Sequence, residues 1–159
     1  MNITGRVISG RGLAATQFAD DSEALTELLG APPYIGTLNL LVDELVLFRR
    51  ETAATPTKGG RHMFWPAEMF GRRCLVMRWP YCPFHVVEIV SDVHLRSAFQ
   101  LTAGSRIELK CDDMLPVPFP NRIAWLAIWA GRRELAYTSD AYYYLLLRFA
   151  RSLLRSASQ

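Results

Sequence analysis

The sequence has no long hydrophobic run. No segment reaches the roughly 18–20 consecutive apolar residues that a membrane-spanning helix requires, and the opening stretch, MNITGRVISGRG, lacks the apolar run of a signal peptide. The net charge is only +3 and the charges are scattered along the chain, which does not suit a nucleic-acid-binding surface. We therefore expect a cytoplasmic protein with no transmembrane segment and no nucleic-acid partner.

Cysteine is also scarce. The chain has three cysteines, Cys74, Cys82 and Cys111, and no Cys-x-x-Cys pair. This pattern predicts reduced thiols rather than disulfide bonds or a zinc site. The histidines are too far apart along the chain to indicate a metal site.

The common catalytic motifs are absent too. There is no G-x-x-x-x-G-K-[ST] phosphate loop, no G-x-S-x-G nucleophile turn, no H-E-x-x-H zinc motif and no dinucleotide-binding fingerprint. These absences argue against P-loop enzymes, α/β-hydrolases, zinc peptidases and Rossmann-type dehydrogenases.

The chain does have enough apolar residues for a core. Half of its 159 residues are hydrophobic and 21% are charged, which is typical of a globular domain. The strand-like segments are short and recur about every 8–12 residues, which favours a mainly β barrel over a βαβ sheet. Strands are predicted at residues 2–8, 36–42, 62–70, 72–79 and 84–91, and a turn that leads into a further strand at 101–111. A helix is predicted at 21–29 and one or two helical turns at 93–99.

The composition changes after the last predicted strand. The segment MLPVPFPN holds three prolines and predicts an extended connector. We therefore divide the chain into a barrel domain, residues 1–112, and a C-terminal extension with an amphipathic helix, residues 113–159. Arg148, Arg151 and Arg155 share one face of that helix. The helix either packs on the barrel or on a second subunit, giving a homo-oligomer, or lies on a membrane surface.

Two local features suggest binding chemistry. In VISGRGLAA, Gly10 and Gly12 follow a strand, and a backbone without Cβ atoms there can turn its N–H groups toward phosphate oxygens or simply form a turn. In PPYIGTLNLL, Thr37 and Asn39 project to the same face of a strand. Their two neutral oxygens can hold Mg²⁺ if substrate phosphates complete the shell, or can bond to the nearby backbone.

Together these segments resemble a known family. VISGRG, PPYIGTLNLLVDE and VVEIVSDVHLRSAFQLTAGSRIEL are similar, in order and spacing, to motifs of the archaeal-type CTP-dependent riboflavin kinase family over about residues 3–110. The resemblance implies a six-stranded cradle-loop barrel with one or two short helices. It also implies a kinase that uses CTP and Mg²⁺ to convert riboflavin to FMN.

The resemblance further implies roles for individual residues. Thr37 and Asn39 match the Mg²⁺ ligands, and Glu88 matches a flavin-contacting glutamate. Because Glu88 alternates with its strand neighbours, we expect it to face the acceptor and to orient or deprotonate the acceptor's hydroxyl group, which makes it the catalytic candidate. The residues that match nucleotide contacts are Ser9, Gly10, Arg11, Gly12, Leu13, Ala14 and Ala15 in the glycine loop, and His94, Leu95, Arg96 and Ser97 in a second segment.

The chain departs from the family pattern at two places. Leu13 and Ala14 stand where the family has a glutamate and a third glycine, and Trp79 stands where it has a flavin-contacting threonine. Trp79 can stack on an isoalloxazine ring as a substrate-binding residue, or fill the flavin pocket and leave room for a smaller acceptor. In the nearby segment RHMFWPAEMFG, aromatic residues such as Phe64 and Trp65 suit either a sugar-binding surface or the core.

Three hypotheses remain open. The first is a Mg²⁺- and CTP-dependent kinase with riboflavin as its acceptor. The second keeps the kinase and replaces riboflavin with a sugar or polyol destined for a glycan. The third is a non-catalytic barrel that binds a nucleotide or another ligand.

Overall fold

The computed structural model describes most of the N-terminal two thirds of the chain. Its described residues are 1–10, 12, 21–55, 62–79, 82, 84–115 and 117, together with 141, 145, 148, 149 and 152. Of the predicted nucleotide-binding residues, Arg11, Leu13, Ala14 and Ala15 lie outside this set. Most of the predicted C-terminal extension lies outside it as well, so the division into two domains stays a prediction. The five described residues of that extension beyond position 140 are helical.

The described residues form a mainly β fold, as predicted. The strands are β1 (Asn2–Ile8), β2 (Leu38–Val42), β3 (Leu47–Phe48), β4 (Met63–Met69), β5 (Arg72–Arg78), β6 (Val86–Val90), β7 (Arg106–Lys110) and β8 (Met114–Leu115). The helices are α1 (Ser22–Leu29) and α2 (Leu95–Ala98), and Arg50–Thr52 form one 3₁₀ turn. Six antiparallel strands close into a barrel in the order β1-β2-β6-β5-β4-β7, and β3 pairs with β8 in a separate small sheet. The predicted six-stranded barrel is therefore confirmed.

The alternation of apolar and polar residues shows which face of a strand points into the barrel. Ile3 and Val7 of β1 and Ile107 and Leu109 of β7 are buried in the interior, while the residues between them are mostly exposed. This is the period of two that a half-buried strand produces. In β2 and β6, by contrast, every residue is buried. Both faces of these two strands are therefore covered.

Helix α1 supplies part of that outer cover. Leu25 and Leu29 pack against Leu75, Met77 and Val90 on the outside of β5 and β6. The helix ends as predicted at Gly30, which has a left-handed φ of 80° and donates its N–H to the Thr26 carbonyl at 2.8 Å. Glycine is favoured at this position because it carries no Cβ to crowd the backbone.

The aromatic residues of β4 belong to the core. Phe64 and Trp65 are almost completely buried. The Trp65 ring packs against Phe48 with 4.9 Å between centroids, and its indole Nε1 donates to the Arg49 carbonyl at 2.7 Å. Of the two roles considered for these aromatics, the structure supports core packing rather than a sugar-binding surface.

Among the described residues, no helix is long and apolar enough to cross a bilayer.

Candidate functional site

A row of buried side chains crosses the outside of the barrel. The strand register pairs Ile8 with Asn39, Asn39 with Glu88, and Glu88 with Met77. Directly paired residues share one face of a sheet, and this face is the outer one, because the sequence neighbours of Asn39 and Glu88 line the barrel interior. Asn39 is 2% exposed and Glu88 is 7% exposed. Asn39, predicted for metal binding, and Glu88, predicted for catalysis, are thus adjacent and sheltered from water.

Thr37 and Asn39 converge, as their spacing predicts. Asn39 Nδ2 donates to Thr37 Oγ1 at 3.4 Å. The prediction placed the amide oxygen rather than the nitrogen beside the hydroxyl, and a half-turn of the carboxamide exchanges the two. Ligands at 2.0–2.1 Å from an octahedral Mg²⁺ lie about 3 Å from each other. The pair therefore fits two neighbouring positions of such a shell.

The glycine loop begins directly against this pair. A Cβ on Gly10 would lie only 2.5 Å from Asn39 Nδ2, so no larger residue fits without displacing the amide. Ser9 and Gly10 are exposed, and Gly12 has a left-handed φ of 73°. The glycine loop and the Thr37–Asn39 pair are therefore in contact in the fold, although each by itself is weak evidence for a binding site.

The described part of the chain offers no acidic cage for a metal. It contains no group of three or more His, Cys, Asp or Glu side chains placed to bind one ion. A cation at Thr37 and Asn39 would therefore take most of its remaining ligands from water or from phosphate oxygens, which is the usual situation for Mg²⁺ in nucleotide enzymes.

A cavity of about 170 Å³ opens beside Thr37. Two segments form most of its walls: Tyr34 to Leu38 at the start of β2, and Ser91 to Arg96, without Asp92, between β6 and α2; Ile89 of β6 completes the lining. His94, Leu95 and Arg96 of the predicted nucleotide segment lie on this wall. The structure thus places that segment against the predicted metal ligand.

Arg96 connects the cavity to the glycine loop. Its Nη2 donates to the Ile8 carbonyl at 2.7 Å, immediately before Ser9. A guanidinium carries five N–H groups, so one bond to the backbone leaves capacity for an anion. Helix α2 is only four residues long, so the main positive charge on this wall is the Arg96 side chain.

His94 is held by two neighbours. Its Nδ1 lies 2.6 Å from Ser97 Oγ, and its ring packs against Tyr34 with 4.8 Å between centroids. Gly36 makes room for this arrangement, because a Cβ there would lie 2.9 Å from the Tyr34 ring. Tyr34 was not among the predicted site residues, although it stands within the P-Y-x-G-T-L-N block that carries the resemblance.

Trp79 lies on the same outer face as Glu88. Its partly buried ring packs against Ile8, Leu41 and Val86, one residue beyond the strand that pairs Met77 with Glu88. The Leu41–Val86 pair that supports the ring is the neighbour, on this face, of the Asn39–Glu88 pair. Trp79 occupies the position at which the family pattern has a threonine.

An ion pair that the sequence did not predict secures the cavity wall. Arg72 Nε and Nη2 donate to Asp92 Oδ1 and Oδ2 at 2.9 and 2.5 Å. This hydrogen bonding from Arg72 lowers the pKa of Asp92 and raises that of Arg72 itself. The two residues are far apart in the sequence and belong to no motif, so only the tertiary structure reveals the contact.

Comparisons with known proteins identify the family of the chain. The family model for CTP-dependent riboflavin kinases, described as domain of unknown function DUF120, matches residues 7–111. The chain is also similar to the riboflavin kinase of Staphylothermus marinus, at 26% identity over 118 residues, covering 69% of this chain and 90% of the relative. The match runs from the end of β1 to just beyond β7 and includes the buried row and both cavity walls. The chain therefore belongs to the CTP-dependent riboflavin kinase family.

Proposed function

We propose that this protein is a kinase that transfers the γ-phosphate of CTP to a hydroxyl group of riboflavin, giving FMN and CDP. The observation that carries the proposal is the family match over residues 7–111, which contains every described residue of the candidate site. The geometry supports it, since the residues matched to nucleotide, metal and acceptor are contiguous in the fold.

The candidate site has a nucleotide side and an acceptor side, which meet at Asn39. On the nucleotide side, Thr37 and Arg96 line the cavity, and the glycine loop at Gly10 lies against Asn39. On the acceptor side, Glu88 pairs with Asn39 across the strands. Phosphoryl transfer depends mainly on positioning and charge neutralisation, and this arrangement would bring a terminal phosphate close to a hydroxyl group beside Glu88.

Residues of the chain would take the proton of the acceptor hydroxyl and stabilise the negative charge of the phosphates. The acceptor oxygen forms a bond to the γ-phosphorus while the bond to the β,γ-bridging oxygen breaks, and CDP leaves with that electron pair. Glu88 orients the acceptor hydroxyl and takes its proton. Arg96 stabilises the negative charge on the phosphates. Mg²⁺ bound at Thr37 Oγ1 and Asn39 Oδ1 would supply further charge neutralisation.

Calorimetric titration with CTP and with ATP, each with Mg²⁺ and then with riboflavin added, tests the proposal. We expect CTP to bind more tightly than ATP, riboflavin to add heat, and FMN to form on incubation, as followed by chromatography and flavin fluorescence. The reaction with EDTA is the control for metal dependence. A chain that binds neither nucleotide contradicts the kinase proposal and favours the non-catalytic barrel.

One observation favours a second acceptor. Trp79 packs on Ile8, Leu41 and Val86 beside Glu88, where the family pattern has a threonine that contacts flavin. A ring in this place would reduce the room for the three fused rings of a flavin and suit a smaller sugar or polyol. If CTP binds and riboflavin neither adds heat nor yields FMN, a screen of sugars and polyols for CDP release is the next test. Trp79→Thr is the matched variant, and a gain of riboflavin binding in it supports this second acceptor.

A further inference from the structure

The hairpin between β4 and β5 ends in a strained turn. Its two turn residues, Phe70 and Gly71, have positive φ angles of 52° and 73°, the combination found in a two-residue type I′ turn. Glycine and asparagine are common in such turns, whereas the Cβ of a bulky residue crowds the backbone. A phenylalanine is held in this conformation only where favourable contacts of its ring offset the backbone strain.

The Phe70 ring contacts Phe99, which follows the cavity wall in the chain and itself packs against the barrel core. Phe70 is 53% exposed, and its ring packs against Phe99 with 4.7 Å between centroids. Phe99 is the C-terminal cap of α2, the helix that carries Arg96. The hairpin tip therefore supports the far end of this helix.

Arg72, immediately after the turn, contacts Asp92 in the loop that leads into α2. Its guanidinium forms the two-pronged ion pair with Asp92 at 2.9 and 2.5 Å, and Asp92 Oδ1 also accepts from Ser91 Oγ at 3.0 Å. The Ser91 carbonyl in turn accepts the N–H of Tyr34 at 2.8 Å. One ion pair thus connects both cavity walls to the hairpin.

We propose that Arg72 and Phe70 are positioning residues for the nucleotide, and that the hairpin tip holds the two cavity walls at their spacing. This inference rests on the proposed function. If the walls are already fixed before CTP binds, less conformational entropy is lost when the complex forms. Arg72 also neutralises the Asp92 carboxylate, which lies between two residues that line the cavity and would otherwise repel a triphosphate.

The test compares two neighbouring arginines by calorimetric titration with CTP in Mg²⁺. Arg72→Gln removes the ion pair, whereas Arg73→Gln removes the same charge from the next, exposed residue. We expect the Kd for CTP to rise about tenfold in Arg72→Gln and to stay within about twofold of wild type in Arg73→Gln. Equal Kd values in the two variants overturn the inference.

A second variant separates positioning from fold stability. Phe70→Asn suits the positive φ and removes the contact with Phe99, so we expect the Tm to hold or rise while the Kd for CTP increases. Charge exchange in the double variant Arg72→Asp, Asp92→Arg should restore part of the affinity lost in Arg72→Asp. An unchanged Kd in Phe70→Asn contradicts the inference. A wild-type chain that binds no CTP contradicts the proposed function itself, which distinguishes the two failures.

Discussion

Asn39 is the residue through which the two sides of the candidate site touch. Its amide contacts Thr37 and would collide with any side chain at position 10, and its backbone pairs with Glu88. A neutral amide can be buried here at lower cost than a carboxylate, because burying an uncompensated charge is expensive. In the proposed kinase the residue would therefore offer an oxygen ligand to Mg²⁺ without adding charge beside Glu88.

Replacing Asn39 should remove metal-dependent turnover. In Asn39→Ala we expect the Mg²⁺-dependent rate to fall by about a hundredfold or more, since a group that stabilises developing charge typically contributes that much. Circular dichroism and thermal melting should show a folded barrel. Asn2→Ala, which changes an exposed asparagine at the other end of β1, is the control. Unchanged turnover in Asn39→Ala contradicts the metal assignment.

Gly10 should tolerate no side chain. Its Cβ would lie 2.5 Å from Asn39 Nδ2, so Gly10→Ala displaces the amide and should lower turnover at an unchanged protein concentration. Gly30→Ala is the matched control, because it replaces a glycine with a φ of 80° at the end of α1. That control should lose about 1 kcal/mol of stability from backbone crowding and keep its turnover. Equal turnover in the two variants would show that Gly10 does not support Asn39.

Glu88 should affect the chemical step rather than nucleotide binding. Glu88→Gln keeps the shape of the side chain and removes its basicity. We expect kcat to fall by about a hundredfold or more, in the range of general-base removal, with the Kd for CTP unchanged. Glu108→Gln, an exposed glutamate on β7, is the control. A Glu88→Gln variant with full kcat excludes a catalytic role for this carboxylate.

At the scale of elements, the Arg72–Asp92 ion pair joins the β4–β5 hairpin to the loop before α2. The pKa of Asp92 is lower in the folded chain than in the unfolded chain, because Arg72 donates to the ionised form. The pair therefore stabilises the fold above the ordinary aspartate pKa of about 3.9, and this contribution is lost as the pH falls through the folded-state pKa.

This linkage predicts a pH-dependent effect of Asp92→Asn. Urea unfolding should show wild type more stable than the variant near neutral pH, with the difference shrinking below about pH 4. Because both side chains are partly exposed, the difference should also decrease at high salt. Asp43→Asn removes the more exposed ion pair with Arg106 and is the control. A difference between wild type and Asp92→Asn that does not change with pH would contradict the linkage.

At the scale of the whole molecule, the barrel and its cover bury every cysteine. All three are buried and none takes part in a disulfide bond. Burial raises the pKa of Cys82 to about 11 and that of Cys74 to about 12, and raises the pKa of Cys111 as well. The thiolate is the reactive form, so these residues serve as packing groups rather than nucleophiles.

Thiol reactivity therefore reports on the integrity of the whole fold. At pH 8 only about one part in a thousand of the Cys82 thiol is ionised. We expect almost no reaction of the native protein with Ellman's reagent over minutes, and release of three equivalents in guanidinium chloride. Rapid reaction of one native thiol would show that the cover over the barrel opens readily.

Local signals in the sequence were enough for the six barrel strands and the two short helices, but not for the short strands β3 and β8, which are stabilised by pairing with each other. The strand alternation of β1 and β7, the end of α1 at Gly30, and the placement of Thr37 and Asn39 on one face all depend on neighbours within a few residues. The motif order was enough for the family. Phe64 and Trp65 were ambiguous, because an apolar ring at a strand position suits both a core and a binding surface.

The tertiary structure alone decided which of these local features meet. Strand register brings Asn39 beside Glu88, and barrel closure brings the end of β1 against Arg96. The hairpin contacts of Arg72 and Phe70 depend on residues about twenty or more positions away. Such pairings are set by the packing of the whole barrel and leave no short-range pattern. Short-range patterns in the sequence were therefore sufficient for the barrel strands, the family and the candidate residues, whereas the β3–β8 sheet, the cavity, the buried row and the Arg72–Asp92 ion pair depend on long-range packing.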